Sequence, residues 1–422
     1  MNDTKKGALD GVRIIDLTSV VLGAYATSIL GDMGADVIKV ESPSPKNGAG
    51  GDIMRWAGDT PSSIENGKKT GQKAGHKTGQ KSGLGPIYMT INRNKRSVLL
   101  NLKQESTREA LLKLIATADV FAANVRYEGL KRLGLSYEDV KKVKPDIVYV
   151  IGTGYGEEGP YGGRPAYDDL IQAASGIASM ASEVDGDPRP RFFPTLVADK
   201  TTGLFMANAI LAALFHKERT GEGQFVEVPM MESMVSFLLA EHLYGHTYDP
   251  PTGPIGYVRV TAPDRKPYRT SDGYIAILPY SDQQWRDFFS LGGKPDLFDT
   301  DARFNTYENR TKNIRHLYAM VEDVTTLKST QDWMNILTEA DIPCSRVNRL
   351  GDLMQDPHLQ AVGLFEKRVH PVEGPYWSLN HPVNYEKTPA RVRRDPPLLG
   401  ENTEEIFAEL GLSEEEIKAL RS

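Results

Sequence analysis

A single cysteine, Cys344, stands in a chain of 422 residues. No disulfide can close within the chain, which suits a reducing compartment. Long apolar runs are missing as well. No stretch approaches the roughly 18 apolar residues of a membrane span. The start, Met1-Asn2-Asp3-Thr4-Lys5-Lys6, leads into no apolar core of the kind a secretory signal needs. Strong charge of one sign is absent too. The net charge is −6, whereas a nucleic-acid binder would show a basic face. These absences predict a soluble, cytoplasmic chain with no membrane and no nucleic-acid partner. His242 and His246 are four residues apart and would share a helical face, but no third ligand is evident. Metal sites use three or four ligands, so no metal site is expected. Finally, the loop Thr18-Ser19-Val20-Val21-Leu22-Gly23 lacks G-x-G-x-x-G. That argues against a dinucleotide, although Glu41 stands where such folds keep a ribose-binding acid.

The length calls for two domains. Val12–Leu17 is a strand candidate, Ala24–Met33 a helix ended by Gly34, and Asp36–Glu41 a second strand. This βαβ unit implies parallel strands and a right-handed crossover. The alternation continues with a strand at Ser97–Leu102, a helix at Glu105–Thr117, a strand at Asp119–Ala123, a helix at Tyr137–Val143 capped by Ser136, and a strand at Ile147–Ile151. A glycine-rich loop at 152–163 precedes a helix from about Tyr167 to Ser175. Phe225–Val228 is a last strand, followed by a helix over Met231–Tyr244. Alternation of this kind predicts a doubly wound, Rossmann-like parallel sheet. Residues 62–83 repeat a G-x-K-x unit and bury too little to order themselves, so they read as a flexible surface insertion or a mobile basic flap. Beyond Gly245 the texture changes. A hairpin is expected from Lys266–Thr270 to Tyr274–Leu278, then helices near Gln283–Leu291, Asn309–Thr325 and Thr330–Glu339. Asn402-x-x-Glu405 and Ser413-x-x-Glu416 resemble capping boxes. The expected division is a large Rossmann-like domain over 1–225, a small α+β domain over 226–340, and a return to the large domain over 341–422.

One stretch organises the rest. In Phe193-Pro194-Thr195-Leu196-Val197-Ala198-Asp199-Lys200-Thr201-Thr202-Gly203 an acidic residue closes a short apolar run, and a helix-period segment follows from Leu204. Asp199 is placed at or just before a helix N-terminus. There it is either an ordinary cap or a carboxylate nucleophile at a rigid corner. Cys344 reads as an inert, buried thiol, and Met230, Met231 and Met234 as core filling.

Several segments carry a resemblance. They are Leu9-Asp10-Gly11-Val12-Arg13-Ile14-Ile15-Asp16-Leu17, Leu30-Gly31-Asp32-Met33-Gly34-Ala35-Asp36-Val37-Ile38-Lys39-Val40-Glu41, Asn92-Arg93-Asn94-Lys95-Arg96-Ser97, Gly154-Tyr155-Gly156, Tyr167-Asp168 with Gln172-Ala173, and Thr220-Gly221-Glu222-Gly223-Gln224. In this order they resemble the class III coenzyme A transferases, the formyl-CoA and carnitine-CoA transferase family. The resemblance covers most of the chain. It implies that Asp199 is the catalytic aspartate and Asp168 a second acid of the active site. It implies CoA contacts at Val21 and Leu22, at Ser42, at Leu100, Asn101, Leu102 and Lys103, at Asn124, Val125, Arg126 and Arg132, and at Arg164, Pro165, Ala166 and Tyr167. It departs from the family at Val21, where formyl-CoA transferase has glutamine, and at Ala123, which replaces a frequent glutamate. Gly253 and Gly256 are the nearest counterparts of the family's mobile glycine loop.

The resemblance implies an acyl-CoA:carboxylate CoA-transferase working through an aspartyl anhydride and an aspartyl-CoA thioester. CoA and acyl-CoA would be substrates, with no tightly bound cofactor, and a small carboxylic acid would be the co-substrate. Arg259, Arg265 and Arg269 could bind a second carboxylate, which makes succinyl-CoA or another dicarboxylate a candidate donor. The family's interlocked homodimer is expected. One rival is a 2-methylacyl-CoA racemase of the same fold, which carries a His-Asp pair where this chain has Tyr167-Asp168. A racemase needs two acid/base groups on opposite faces of the α-carbon, and tyrosine replaces histidine poorly near pH 7. The other rival is a non-catalytic CoA-binding protein, against which the intact Asp199 and Asp168 argue.

Overall fold

Residues 6–43, 50–61 and 83–420 are described here from a computed structural model. The Gly/Lys-rich stretch lies outside them except for Gly83. The chain divides into two units. The first takes residues up to Ile177, then Phe192–Phe237, and everything from His358. The second takes Ala178–Arg191 and Leu238–Pro357.

Six strands form the sheet of the first unit: β1 (Arg13–Leu17), β2 (Asp36–Glu41), β3 (Lys95–Leu99), β4 (Val120–Ala123), β5 (Val148–Thr153) and β6 (Phe225–Pro229). Their order is β3-β2-β1-β4-β5-β6 and every pairing is parallel. The direction of strand addition therefore reverses between β1 and β4. All residues of β4 and β5 are buried, as expected for parallel strands covered on both faces. One face packs on the helix α2 (Glu105–Ile115) and on the C-terminal helices through Leu111, Leu114, Phe121, Tyr149, Ile406 and Phe407. The other packs on α1 (Leu22–Asp32) and α4 (Val197–Thr220) through Leu30, Val37, Val150, Met206 and Ile210. Between them in sequence lies α3 (Asp168–Ser175). After β6 comes α5 (Met230–His242).

Two expected elements fall elsewhere, and one expected cap is built differently. Strand β3 begins at Lys95, two residues before the expected start, and ends at Leu99. Its charged opening is buried because each charge has a partner. Lys95 Nζ lies 3.0 Å from Asp16, and Arg96 pairs with Asp36 at 2.7 Å and with Glu409 at 2.6 Å. Helix α4 begins at Val197, not near Leu204. Asn402 holds the N-cap position of the expected helix, Thr403–Glu409, but its side chain makes no cap bond and the expected capping box does not form. Asn402 accepts from the Ser97 amide at 3.0 Å and donates its own amide to the Ser97 carbonyl at 2.9 Å. It thus pairs the open edge of β3, which would otherwise be available to another chain. Ser413 and Glu416 do form the expected reciprocal pair.

The second unit is built on a three-stranded antiparallel sheet, β7 (Tyr268–Arg269), β8 (Tyr274–Ile277) and β9 (Cys344–Arg346). The expected hairpin is present but shorter. Its core is aromatic: Trp285, Phe288, Phe289, Phe298, Phe304 and Trp333 are buried together. The expected helix over Asn309–Thr325 is two helices, Tyr307–Lys312 and Ile314–Thr325, broken at Asn313. A β-hairpin, β10 (Phe365–His370) and β11 (Gly374–Leu379), belongs to the first unit. Among the described residues no helix is long and apolar enough to cross a membrane.

Candidate active site

In open α/β sheets, ligands settle at the carboxyl ends of the strands, where the strand order reverses. A cavity of about 320 Å³ lies there. Ser19, Val20 and Leu22 follow β1, and Asn124 and Arg126 follow β4. Gly152, Thr153, Gly154, Tyr155 and Glu157 come from the end of β5. Gly163 to Tyr167, Asp199 and Met230 complete the lining.

Asp199 is the third residue of α4, inside the first turn rather than at the cap. Residue Leu196 holds the cap position and offers no side-chain cap bond. Among the described residues no group donates a hydrogen bond to the Asp199 carboxylate. The residue is 9% exposed and lines the cavity. Burial pushes its pKa up to about 7, and the negative charge of Asp168 adds to the shift. Asp168 is the first residue of α3 and is itself buried. Its Oδ1 accepts from the Asp199 amide at 3.0 Å, and its Oδ2 accepts from Gln172 Nε2 at 2.6 Å. Gln172 also accepts from the Phe193 amide at 2.7 Å and donates to the Thr195 carbonyl at 3.2 Å. One buried amide side chain therefore fixes both the second acid and the segment that leads into α4.

The glycine-rich loop is built for close approach. A Cβ on Gly154 would lie 2.2 Å from the Ala166 Cβ, so only glycine fits there. Glu227 accepts from Thr153 Oγ1 at 3.0 Å and from the Glu157 amide at 2.9 Å, and Glu232 accepts from the Gly156 amide at 2.9 Å. Arg164 stacks over the Tyr161 ring at 4.4 Å. Arg126 and Arg164 both reach the cavity, and among the described residues neither is ion-paired.

A model of CoA-transferase family III matches residues 9–403. The chain belongs to that family. It is an enzyme, a class III CoA-transferase. The chain is 32% identical over 406 residues to the succinyl-CoA:glutarate CoA-transferase of Mus musculus, covering 95% of this chain and 86% of that one. It is 31% identical over 413 residues to the succinyl-CoA:mesaconate CoA-transferase of Haloarcula marismortui, covering 96% and 97%. The crystal structure of Rv3272 from M. tuberculosis superposes with a TM-score of 0.78 at 28% identity, covering 94% of this chain and 99% of that one.

Within this transferase, the residues singled out from sequence fall into three groups. Leu22, Asn124, Arg126, Arg164, Pro165, Ala166, Tyr167 and Asp199 line the cavity. Asp168 stands behind Asp199. Val21, Ser42, Leu100, Asn101, Leu102, Lys103, Val125 and Arg132 do not line it. Val21 is buried beside Ala24 and Ile91. Ser42 and Leu100 to Lys103 follow the ends of β2 and β3, and Arg132 is exposed at the end of a short helix, Tyr127–Arg132. Glu41 is unavailable to a ribose, because Arg55 pairs with it at 2.5 Å and Ser97 donates to it at 2.7 Å. Sequence reading did not assign Ser19, Val20, Tyr155, Glu157, Met230 or Gln172 to the site. The glycine-rich loop was a usable signal for two of them, whereas Gln172 acts only through folding contacts. His242 is buried in the second unit, and its Nδ1 accepts from the Tyr257 amide at 3.2 Å. Among the described residues no group of three or more His, Cys, Asp or Glu could hold a metal ion. Cys344 is half-buried, and burial pushes its thiol up.

Proposed function

We propose that this transferase moves CoA from an acyl-CoA to a free carboxylic acid, with Asp199 as the nucleophile. The observation that carries the reading is a desolvated carboxylate that has no hydrogen-bond donor among the described residues, lining a cavity also reached by two arginines that have no ion-pair partner among them. A carboxylate stripped of water is a stronger nucleophile than a solvated one, and covalent catalysis splits one hard exchange into easier steps.

In the first step an Asp199 oxygen attacks the thioester carbonyl. The carbon–sulfur bond breaks, giving a mixed anhydride and a CoA thiolate. The thiolate then attacks the aspartyl carbonyl, the anhydride carbon–oxygen bond breaks, and the donor acid leaves as a carboxylate. Asp199 now carries CoA as a thioester. The acceptor carboxylate attacks that thioester, and the released thiolate attacks the acceptor side of the second anhydride. Acyl-CoA and free Asp199 result. Each intermediate keeps an activated acyl bond, so ATP is not required, and CoA is a substrate throughout rather than a tightly held cofactor. Amides at the start of α1 or in the glycine-rich loop are the candidate oxyanion donors, each worth about 3–4 kcal/mol in a comparable site. Asp168 works through Asp199, by holding its amide and by raising its proton affinity.

Arginine forks suit phosphate oxygens, so Arg126 and Arg164 are assigned to the CoA phosphates. The nucleotide end is assigned to the carboxyl ends of β2 and β3, at Ser42 and Leu100 to Lys103, with Arg132 beyond. The two curated relatives named above act on succinyl-CoA with glutarate or mesaconate, and a dicarboxylate pair led by succinyl-CoA is the preferred substrate class. A cytoplasmic setting suits a chain with one cysteine. A homodimer fits the apolar outer side of α4, where Leu204, Phe205 and Phe215 are exposed.

The test is Asp199→Ala. The variant should lose exchange between succinyl-CoA and a dicarboxylate while still binding CoA by calorimetry. Turnover retained in the purified variant would remove Asp199 from its role.

A further inference from the structure

The cavity wall formed by Ser19 and Val20 is held from behind. Thr18 donates its amide and its hydroxyl to Asp16 Oδ1, at 2.9 and 2.5 Å, and its carbonyl accepts from Lys39 Nζ at 2.8 Å. Ser19 is paired through both backbone groups with Asn124, at 2.9 and 2.7 Å. The Val20 amide donates to Asp52 Oδ1 at 3.1 Å. The other Asp52 oxygen forms an ion pair with Lys39 Nζ at 3.0 Å, and both side chains are fully buried. Five consecutive backbone groups, from the Thr18 amide to the Val20 amide, are therefore taken. The residue so gripped has φ +64°. For a β-branched side chain this left-handed conformation is a genuine outlier, and such strain persists only where the surroundings enforce it.

We infer that Asp52 is a positioning residue for transfer: its buried carboxylate, anchored on Lys39, holds Val20 in the left-handed turn that shapes the wall of the cavity Asp199 also lines. Asp52 does not line the cavity and touches no reacting atom; it acts through Val20. The chemistry of the carboxylate explains why an amide would not replace it. One oxygen accepts from two backbone amides, Val20 and Met54, and the other faces an ammonium. At this position an asparagine would turn either its NH₂ group toward Lys39 or its oxygen away from Val20. This inference rests on reading the cavity as the transfer site.

Three measurements test it. In the wild-type protein without substrate, the Val20 amide should be protected from hydrogen exchange, although it belongs to a loop; exchange at the rate of an open loop overturns the inference. This arm needs no variant and no turnover. Asp52→Asn should lower kcat at least tenfold per folded molecule while KM for acyl-CoA changes less than threefold; a purely structural role would lower the melting temperature and leave kcat intact. In a Val20→Gly background the same Asp52→Asn change should cost less than threefold, since glycine adopts positive φ without strain. An equal loss in both backgrounds overturns the inference. Wild-type turnover reports separately on the functional reading, so a failed clamp and a failed reading give different results.

Discussion

Asp199 sits in two fields at once. Its position in the first turn of α4 places it near the positive end of a helix dipole, which favours the ionised form. Burial and Asp168 work the other way and prevail, leaving the group at about 7. In the free enzyme, kcat/KM should therefore rise with pH through a midpoint near 7. Asp168→Asn should move that limb to lower pH, because the like charge is gone while an oxygen for the Asp199 amide remains. The same shift has a sign for stability. Between about pH 4 and 7 the folded chain holds a proton that the unfolded chain has released. Stability thus falls as pH rises over that window and gains nothing from this group above it. Asp199→Asn should remove the slope, leaving the variant more stable at pH 8 by up to about 4 kcal/mol in denaturant titrations. An unchanged slope would mean that Asp199 titrates as an ordinary surface acid.

At the scale of elements, the site depends on how closely α1 and α4 approach. Gly203 is the contact. A Cβ there would lie 2.8 Å from the Leu22 carbonyl oxygen and 3.1 Å from the Tyr25 ring. Gly203→Ala should force the helices apart, at a cost of about 1–3 kcal/mol, partly offset by alanine's better helix propensity. Leu22 and Asp199 both line the cavity, so turnover should fall along with the melting temperature. A variant with normal kcat would show that the helix spacing is not critical. The same contact explains why the start of α4 was illegible in the sequence. Its first two turns bury Ala198, Asp199, Thr202 and Gly203, small and polar residues that carry no apolar periodicity. The helix pattern becomes visible only from Leu204. Strand β3 was misplaced for a related reason. Lys95 and Arg96 read as solvent residues until Asp16, Asp36 and Glu409 are brought to them. Strands β1, β2 and β4 were legible to within a residue or two, because apolar residues such as Ile14, Ile15, Val37, Ile38, Val120 and Phe121 carry most of their burial.

On the scale of the whole molecule, the family could be read from motifs spread along most of the chain. The cavity could not, because it is assembled from segments after β1, β4 and β5 that only the strand order brings together. The outer side of α4 was also hidden. Between Gly203 and Phe215 that helix carries a single polar residue, Asn208, and Leu204, Phe205 and Phe215 remain exposed on it. Exposed apolar side chains of this size suit an association surface, and the proposed homodimer would cover them. Sedimentation should show a particle of two chains, and Phe205→Ser with Phe215→Ser should shift it toward one; a wild-type monomer would remove the homodimer from the proposal. The pairing of Asn402 with Ser97 has a last consequence. These residues lie 305 positions apart. At roughly 5–20 residues per second, a ribosome needs about 15–60 s between making β3 and making the residue that shields it. During that interval the nascent chain carries a bare strand, which makes the growing polypeptide, rather than the finished enzyme, the species most dependent on chaperones.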